Sequence, residues 1–381
     1  MNEKKTRKTV RIFAAASFLN DLGSDMIYPV WPLFVTSVLG ANMAVLGFLD
    51  GLGEALVSIS QAVSGFVSDK IRRRKVFVWT GYLFGAASRV GYALSSVWQH
   101  LIPFRILDRA GKMRGAPRDA MIADLSTRWN RGRNFGFLRM MDNLGAVCGI
   151  VIAILFFKIL GYRTLFAMAA IPSIVGAILI GRFVKEKKLA RVMLFKGLSL
   201  RDWDFNFWLF LVLSAVFSLG AFSYSFLMIY AKEFGFGLGF VPALYLVFTA
   251  VASVVNLPFG RLADKIGRKR VLMLSFVLWV LVCLSFIWGR VLWIIFLGFV
   301  FYGFHRGAAE PVQKAFVSEL APANLRASSL GGYQMVVGLC ALPASLIAGL
   351  LWDRVGLYVP LYFSLGLTVV SILMLFFVKE K

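Results

Sequence analysis

The chain has 381 residues, 59% hydrophobic, 15% aromatic and only 16% charged, with a formal net charge of +23. Soluble domains carry about 25% charged residues, and a chain this apolar would expose large patches in water and aggregate, which excludes an ordinary soluble domain. Its basic residues fall in short clusters between long apolar runs, so the charge reads as membrane topology and not as a nucleic-acid surface.

A spanning helix needs about 20 mostly apolar residues. Twelve stretches qualify: Ile12–Val35, Val45–Val67, Phe77–Ser96, Leu101–Ile122, Phe135–Phe157, Leu165–Phe183, Phe207–Tyr230, Val241–Leu262, Val271–Trp288, Val291–Phe316, Leu330–Leu351 and Val359–Val378. The basic leader MNEKKTRKTVR runs into the first span without a small-residue cleavage site, so that span is expected to be retained.

The first span places Asp21 and Asp25 on one helical face, and Pro29 and Pro32 should bend or break it. The second carries Asp50, Glu54, Ser58, Gln61, Ser64 and Ser68 within an arc of roughly 120°. Ionisable residues inside a membrane are costly and are functional candidates by default. Two like-charged pairs on adjacent spans resist full ionisation, so Asp21, Asp25, Asp50 and Glu54 are proton-binding candidates.

The fourth span reads RILDRAGKMRGAPRDA. Arg105, Asp108, Arg109, Lys112 and Asp119 share a face while the helix stays regular. Gly111, Gly115 and Pro117 predict a kink near its end, which would send Arg114 and Arg118 elsewhere. The fifth span adds Arg139, Asp142 and Asn143. The plain alternative to a transport site is a salt-bridge network that fixes helix packing.

The second half is more apolar. The seventh span offers Ser214, Ser218, Ser223, Tyr224 and Ser225, and the eleventh offers Tyr333 and Gln334. The tenth carries His305, a proton relay or a hydrogen-bonding packer, with Arg306, Glu310 and Lys314 at ion-pair spacing. Cys148, Cys283 and Cys340 lie in apolar runs with no CxxC spacing, and His100 and His305 have no spaced partners, so no metal site or cofactor is expected.

Basic clusters precede the first span (Lys4, Lys5, Arg7, Lys8, Arg11) and follow the second (Lys70, Arg72, Arg73, Arg74, Lys75), sixth and eighth. The alternate loops hold only Lys158, Arg163, Lys232, Arg290 and Arg354. By the positive-inside rule both termini are expected to face the cytoplasm. Two bundles, residues 1–184 and 205–381, are expected to flank a polar cytoplasmic connection at 185–204.

Two segments repeat. GFVSDKIRRRK (Gly65–Lys75) and GRLADKIGRKR (Gly260–Arg270) match at an offset of 195 residues, which also brings Ala123-Asp124-Leu125 onto Ser318-Glu319-Leu320. The pattern G-x-x-x-D-K-x-x-R-[RK]-[RK], its second copy and RGRNFGF (Arg131–Phe137) resemble the signature elements of the major facilitator superfamily, over the whole chain in length, span count and motif placement. Arg72 stands where that family usually has glycine, a position Gly267 keeps in the second copy. Gly65, Asp69, Arg73, Arg74, Gly260, Asp264, Arg268 and Lys269 are the expected gating residues. The glycines should allow close helix approach, and the carboxylates should cap a helix N-terminus or pair with arginine.

The resemblance implies an all-α membrane protein of twelve spans in two pseudo-symmetric six-helix bundles. It implies spans one, four, seven and ten around a cavity, which singles out Asp21, Asp25, Arg105, Asp108, Arg109, Tyr224, His305, Arg306 and Glu310. The expected protein is a monomeric secondary transporter of the cell membrane. It moves a small ionic or amphiphilic solute by alternating access, with protons as coupling ion and export as direction. An uptake permease for an organic anion or metal ion is the alternative. Outside that class stand a membrane enzyme, which no metal-type cluster supports, an ATP-driven pump, which lacks a phosphate loop, and a channel.

Overall fold

A computed structural model describes residues 3–71, 73–126, 131–184, 186, 204–289, 291–321 and 326–380. The Asp69 side chain, Arg72, Arg290 and most of the 185–204 connection lie outside the described residues. Every regular element among the described residues is helical.

The first compact unit comprises Met1–Gly40 and Leu56–Lys196. Helix α1 (Glu3–Asp25) ends before a turn at residues 26–30, and α2 (Trp31–Leu33) leads into one π-helical turn, Phe34–Val38. The two prolines explain the break. Pro32 sits in the first turn of α2, where its missing N–H is no loss, and the Thr36 hydroxyl donates back to the Pro32 carbonyl at 2.8 Å. Helix α3 (Met43–Ile71) contributes its later half to this unit, followed by α4 (Lys75–Leu94).

The fourth predicted span is broken where its glycines and proline fall: α5 (Leu101–Ala110), a 3-10 turn (Gly111–Arg114) and α6 (Gly115–Leu125). Helix α7 (Arg131–Phe183) is two arms joined at Gly161, whose φ of 72° and ψ of 167° lie outside the helical region. Only glycine adopts that conformation without strain. Phe13, Val78, Tyr82, Ile122, Leu138 and Ile180 form the core of this unit, drawn from α1, α4, α6 and both arms of α7.

The second unit comprises Ala41–Ala55 and Gly197–Lys381. It holds the start of α3, then α8 (Phe205–Gly220), α9 (Tyr224–Glu233), α10 (Val241–Ile266), α11 (Arg268–Trp288), α12 (Leu292–Leu320), α13 (Arg326–Arg354) and α14 (Val359–Phe377). At the start of α3 the backbone N–H groups of Met43 and Ala44 donate to the Asp353 carboxylate of α13 at 3.1 and 2.7 Å. A carboxylate there answers helix-start donors that have no partner within the helix.

Eight helices among the described residues are long and apolar enough to cross a membrane. By this measure α1, α4 and the short pair α5–α6 fall outside the set, and α7 enters it as one helix. Polar side chains on α1, Arg89 in α4, the 3-10 break between α5 and α6, and the two predicted spans taken in by α7 account for the difference from twelve.

Candidate functional site

The interior of the first unit is dominated by arginine. Among its helices Arg89, Arg105, Arg109, Arg114 and Arg118 are buried, against Asp108 and Asp142. Arg105 lies over the Trp31 ring at 4.5 Å, Arg109 over Tyr28 at 5.3 Å and Arg114 over Tyr82 at 5.1 Å. An aromatic face attracts a cation while the guanidinium's in-plane donors stay available. Asp108 pairs with Arg109 at 3.5 Å.

A second group lies along α6 and α7. Arg118 pairs with Asp119 at 2.9 Å and Asp142 at 3.7 Å, and donates to the Ser17 hydroxyl at 2.6 Å. Arg139, exposed, reaches Asp142 at 3.5 Å and Asp119 at 3.8 Å. Asp142 keeps one buried oxygen that accepts no hydrogen bond. Asp21, half-buried, meets Arg114 at 3.9 Å and accepts from the Asn20 amide at 3.0 Å. Asp25 is half-buried on the same helix.

Arg114 and Arg118 therefore do not leave the cluster, as a kinked helix suggested. The 3-10 turn rotates them back, Arg114 over Tyr82 and Arg118 between two aspartates. Arg89, which the sequence analysis did not single out, is the most enclosed charge among the described residues. It donates to Ala169 O (2.9 Å), Asn20 O (3.1 Å), Ser24 Oγ (2.8 Å) and the Ser173 hydroxyl. Its signal was a lone arginine inside an apolar span.

In the second unit Asp50 is buried and accepts from the Ser223 hydroxyl at 2.7 Å, and Ser223 caps α9. Glu54, one turn on, is exposed. Tyr224 meets Tyr245 edge-on at 5.2 Å and Phe248 at 6.1 Å. Arg306 lies in the electrostatic neighbourhood of Tyr302, Glu310 and Tyr245, and Glu310 accepts from Lys314 at 2.9 Å. His305 is buried against Trp279 and Phe217, and its Nδ1 lies 2.7 Å from the Ser275 carbonyl. A carbonyl only accepts, so Nδ1 carries the proton in that contact.

The repeated motif builds one ionic clasp in each unit. In the first, the Arg74 side chain bonds Asp124 at 2.5 Å, and the backbone N–H groups of Arg74 and Lys75 donate to Glu186. Lys75 Nζ donates to the Gly181 carbonyl at 2.7 Å. In the second, Arg268 pairs with Glu319, the N–H groups of Arg268 and Lys269 donate to Glu380, and Lys269 Nζ donates to the Phe376 and Val378 carbonyls at 2.8 Å. Each clasp neutralises a helix N-terminus with a carboxylate and a helix C-terminus with a cation, as the helix dipoles favour.

The clasp shifts the register read from the sequence repeat. Arg74, not Arg73, is the counterpart of Arg268; Arg73 is exposed. The first loop is one residue longer because the second turns at Gly267, with φ of 100°. The caps are Glu186 and Glu380, and Asp264 takes the other role expected of it, pairing with Arg268 at 3.8 Å. Nor do the motif glycines mark close approaches: a Cβ at Gly65 would meet Ala116 at an ordinary 3.5 Å, and one at Gly260 would meet nothing. No group of three or more His, Cys, Asp or Glu among the described residues could hold a metal ion.

The sequence model of the Major Facilitator Superfamily matches residues 13–255 and 208–381. The chain is 36% identical to an uncharacterized MFS-type transporter of Methanocaldococcus jannaschii, over 99% of this chain and 96% of that one. It is 23% identical to the class H tetracycline resistance protein of Pasteurella multocida, over 85% and 84% of the two chains. Its fold is similar to the crystal structure of the nucleoside transporter NupG (D323A mutant), with a TM-score of 0.82, 14% identity and coverage of 98% and 100%. The clasp built twice from one motif and the match along the whole chain lead to one conclusion: this protein belongs to the Major Facilitator Superfamily.

Proposed function

We propose that this chain is a proton-coupled secondary transporter that exports a small organic anion across the cell membrane by alternating access. The charge imbalance inside the first unit carries this reading: among the described residues six arginines are buried, five of them within the helices and Arg74 at the clasp, against the two buried aspartates Asp108 and Asp142. Such an interior sets a positive potential that draws anions, and guanidinium edges recognise carboxylate or phosphate in two-point contacts. It outweighs the acidic residues Asp21, Asp25, Asp50 and Glu54, which would favour a cationic solute or protons. The rings around Tyr224 in the second unit support a solute with an apolar body.

Export rests on the tetracycline resistance relative. Asp21 and Asp142 are the proposed proton carriers, the first loosely held by Arg114 and the second with one oxygen lacking a hydrogen bond. The proposed architecture is monomeric, with twelve spans, a boundary in the 185–204 connection and both termini cytoplasmic, which the basic loops support.

The test is counterflow in proteoliposomes with panels of organic anions, cations and neutral solutes, followed by a pH jump. Accumulation of an anion that depends on the pH gradient, unchanged chemically, supports the reading. Accumulation of cations alone, or conversion to a new product, overturns it.

A further inference from the structure

The structure holds a small basic pocket away from the charged interior. Near the beginning of α1 and of α7, Arg7, Val10, Arg11, Asn134 and Phe137 line a cavity of about 180 Å³. Arg7 and Arg11 lie one helical turn apart on α1, so both reach the same face. Both are exposed, and no described residue forms an ion pair with either. Like charges at this spacing repel, and an anion placed between them removes the repulsion.

The other walls are informative. Val10 is buried and Phe137 half-buried, giving the pocket an apolar side next to its cationic one. Asn134 adds an amide, oriented by its 2.8 Å hydrogen bond to the Ser126 hydroxyl. The volume is below the roughly 300–1,000 Å³ that encloses a whole drug-sized ligand. The pocket is thus sized for an anionic group and not for an entire transported solute. Two guanidinium groups beside an apolar wall match a phosphate carried on an apolar body.

We propose that this pocket binds a phosphate-bearing anion, from either of two sources: the headgroup of an anionic lipid in the adjoining leaflet, or a soluble phosphate compound. Arg7 and Arg11 hold the phosphate, and Val10 and Phe137 pack beside the start of whatever it carries. Neither arginine belongs to the proposed transport site, and the binding is independent of the transported solute.

The experiment is native mass spectrometry of the full-length protein in detergent with short-chain phosphatidylglycerol, phosphatidylcholine as control and inorganic phosphate as competitor. Wild type is expected to retain phosphatidylglycerol selectively. Arg7→Gln with Arg11→Gln should weaken this roughly 30-fold, as expected for two surface charges lost. Lys8→Gln removes a charge from the same helix outside the pocket and should weaken it by less than about fivefold. Displacement of the lipid by millimolar phosphate, sensitive to the same two arginines, supports the soluble source. The proposal is overturned if the double variant, with an unchanged melting profile, keeps wild-type affinity. It is equally overturned if Lys8→Gln costs as much as the double variant, or if neither phosphatidylglycerol nor phosphate binds.

Discussion

Arg89 and Arg109 are both buried guanidiniums of the first unit, yet they stand in different company. Arg89, 2% exposed, is met by carbonyl, amide and hydroxyl oxygens from α1 and the second arm of α7. Removing it takes a donor from Asn20, Ser24, Ala169 and Ser173, and a buried acceptor left unsatisfied costs about 1–3 kcal/mol. Arg89→Ala is therefore expected to lower the melting temperature of the purified protein sharply, with Arg89→Lys recovering only part of it. Arg109 lies over the Tyr28 ring, donates to its hydroxyl at 3.4 Å and pairs with Asp108. Arg109→Gln should leave folding near normal and reduce anion kcat/KM at least tenfold, as expected when a charged hydrogen-bond donor is lost; unaltered counterflow would remove it from the site. Asp21, Arg105 and Asp108 were legible because charge inside an apolar run is conspicuous. Arg89 was as conspicuous by that rule, but its partners lie 65 to 84 residues away and no local spacing names them.

Local chemistry announced the breaks in the elements more reliably than their contacts. Pro29 and Pro32 marked the interruption after α1, and Gly111, Gly115 and Pro117 marked the 3-10 turn between α5 and α6. Glu186 and Glu380, which cap α4 and α11 from more than a hundred residues away, carried no sequence signal beyond their charge. The Arg74–Asp124 pair joins a buried side chain to one 53% exposed. Half-exposed pairs are worth at most about 1 kcal/mol, which suits a contact made and broken in every transport cycle. A double-mutant cycle with Arg74→Gln and Asp124→Asn should give a coupling within that limit while each single change slows turnover; turnover at the wild-type rate would dismiss the gating role. Gly267→Ala should destabilise by roughly 1–2 kcal/mol, since its φ of 100° is strained for any residue with a Cβ. A thermal melt of that variant measures the cost.

For the molecule as a whole, the doubled motif was readable from sequence and the register of its two copies was not. An offset of 195 aligns Asp124 with Glu319, yet Arg74 and Arg268 are 194 apart, because a left-handed glycine shortens one turn. Membership of the superfamily follows from the full-length match. Reporter fusions at each terminus test the proposed topology: both should be active in the cytoplasm, and opposite signals would refute an even number of spans. The contacts of Arg89 bear on the proposed proton coupling. The oxygens that grip Arg89 neither gain nor lose a proton at any acidity a cell meets. This cross-brace keeps its hold at either end of the gradient. This part of the first unit is thus insulated from the proposed proton fuel, which would act on carboxylates elsewhere.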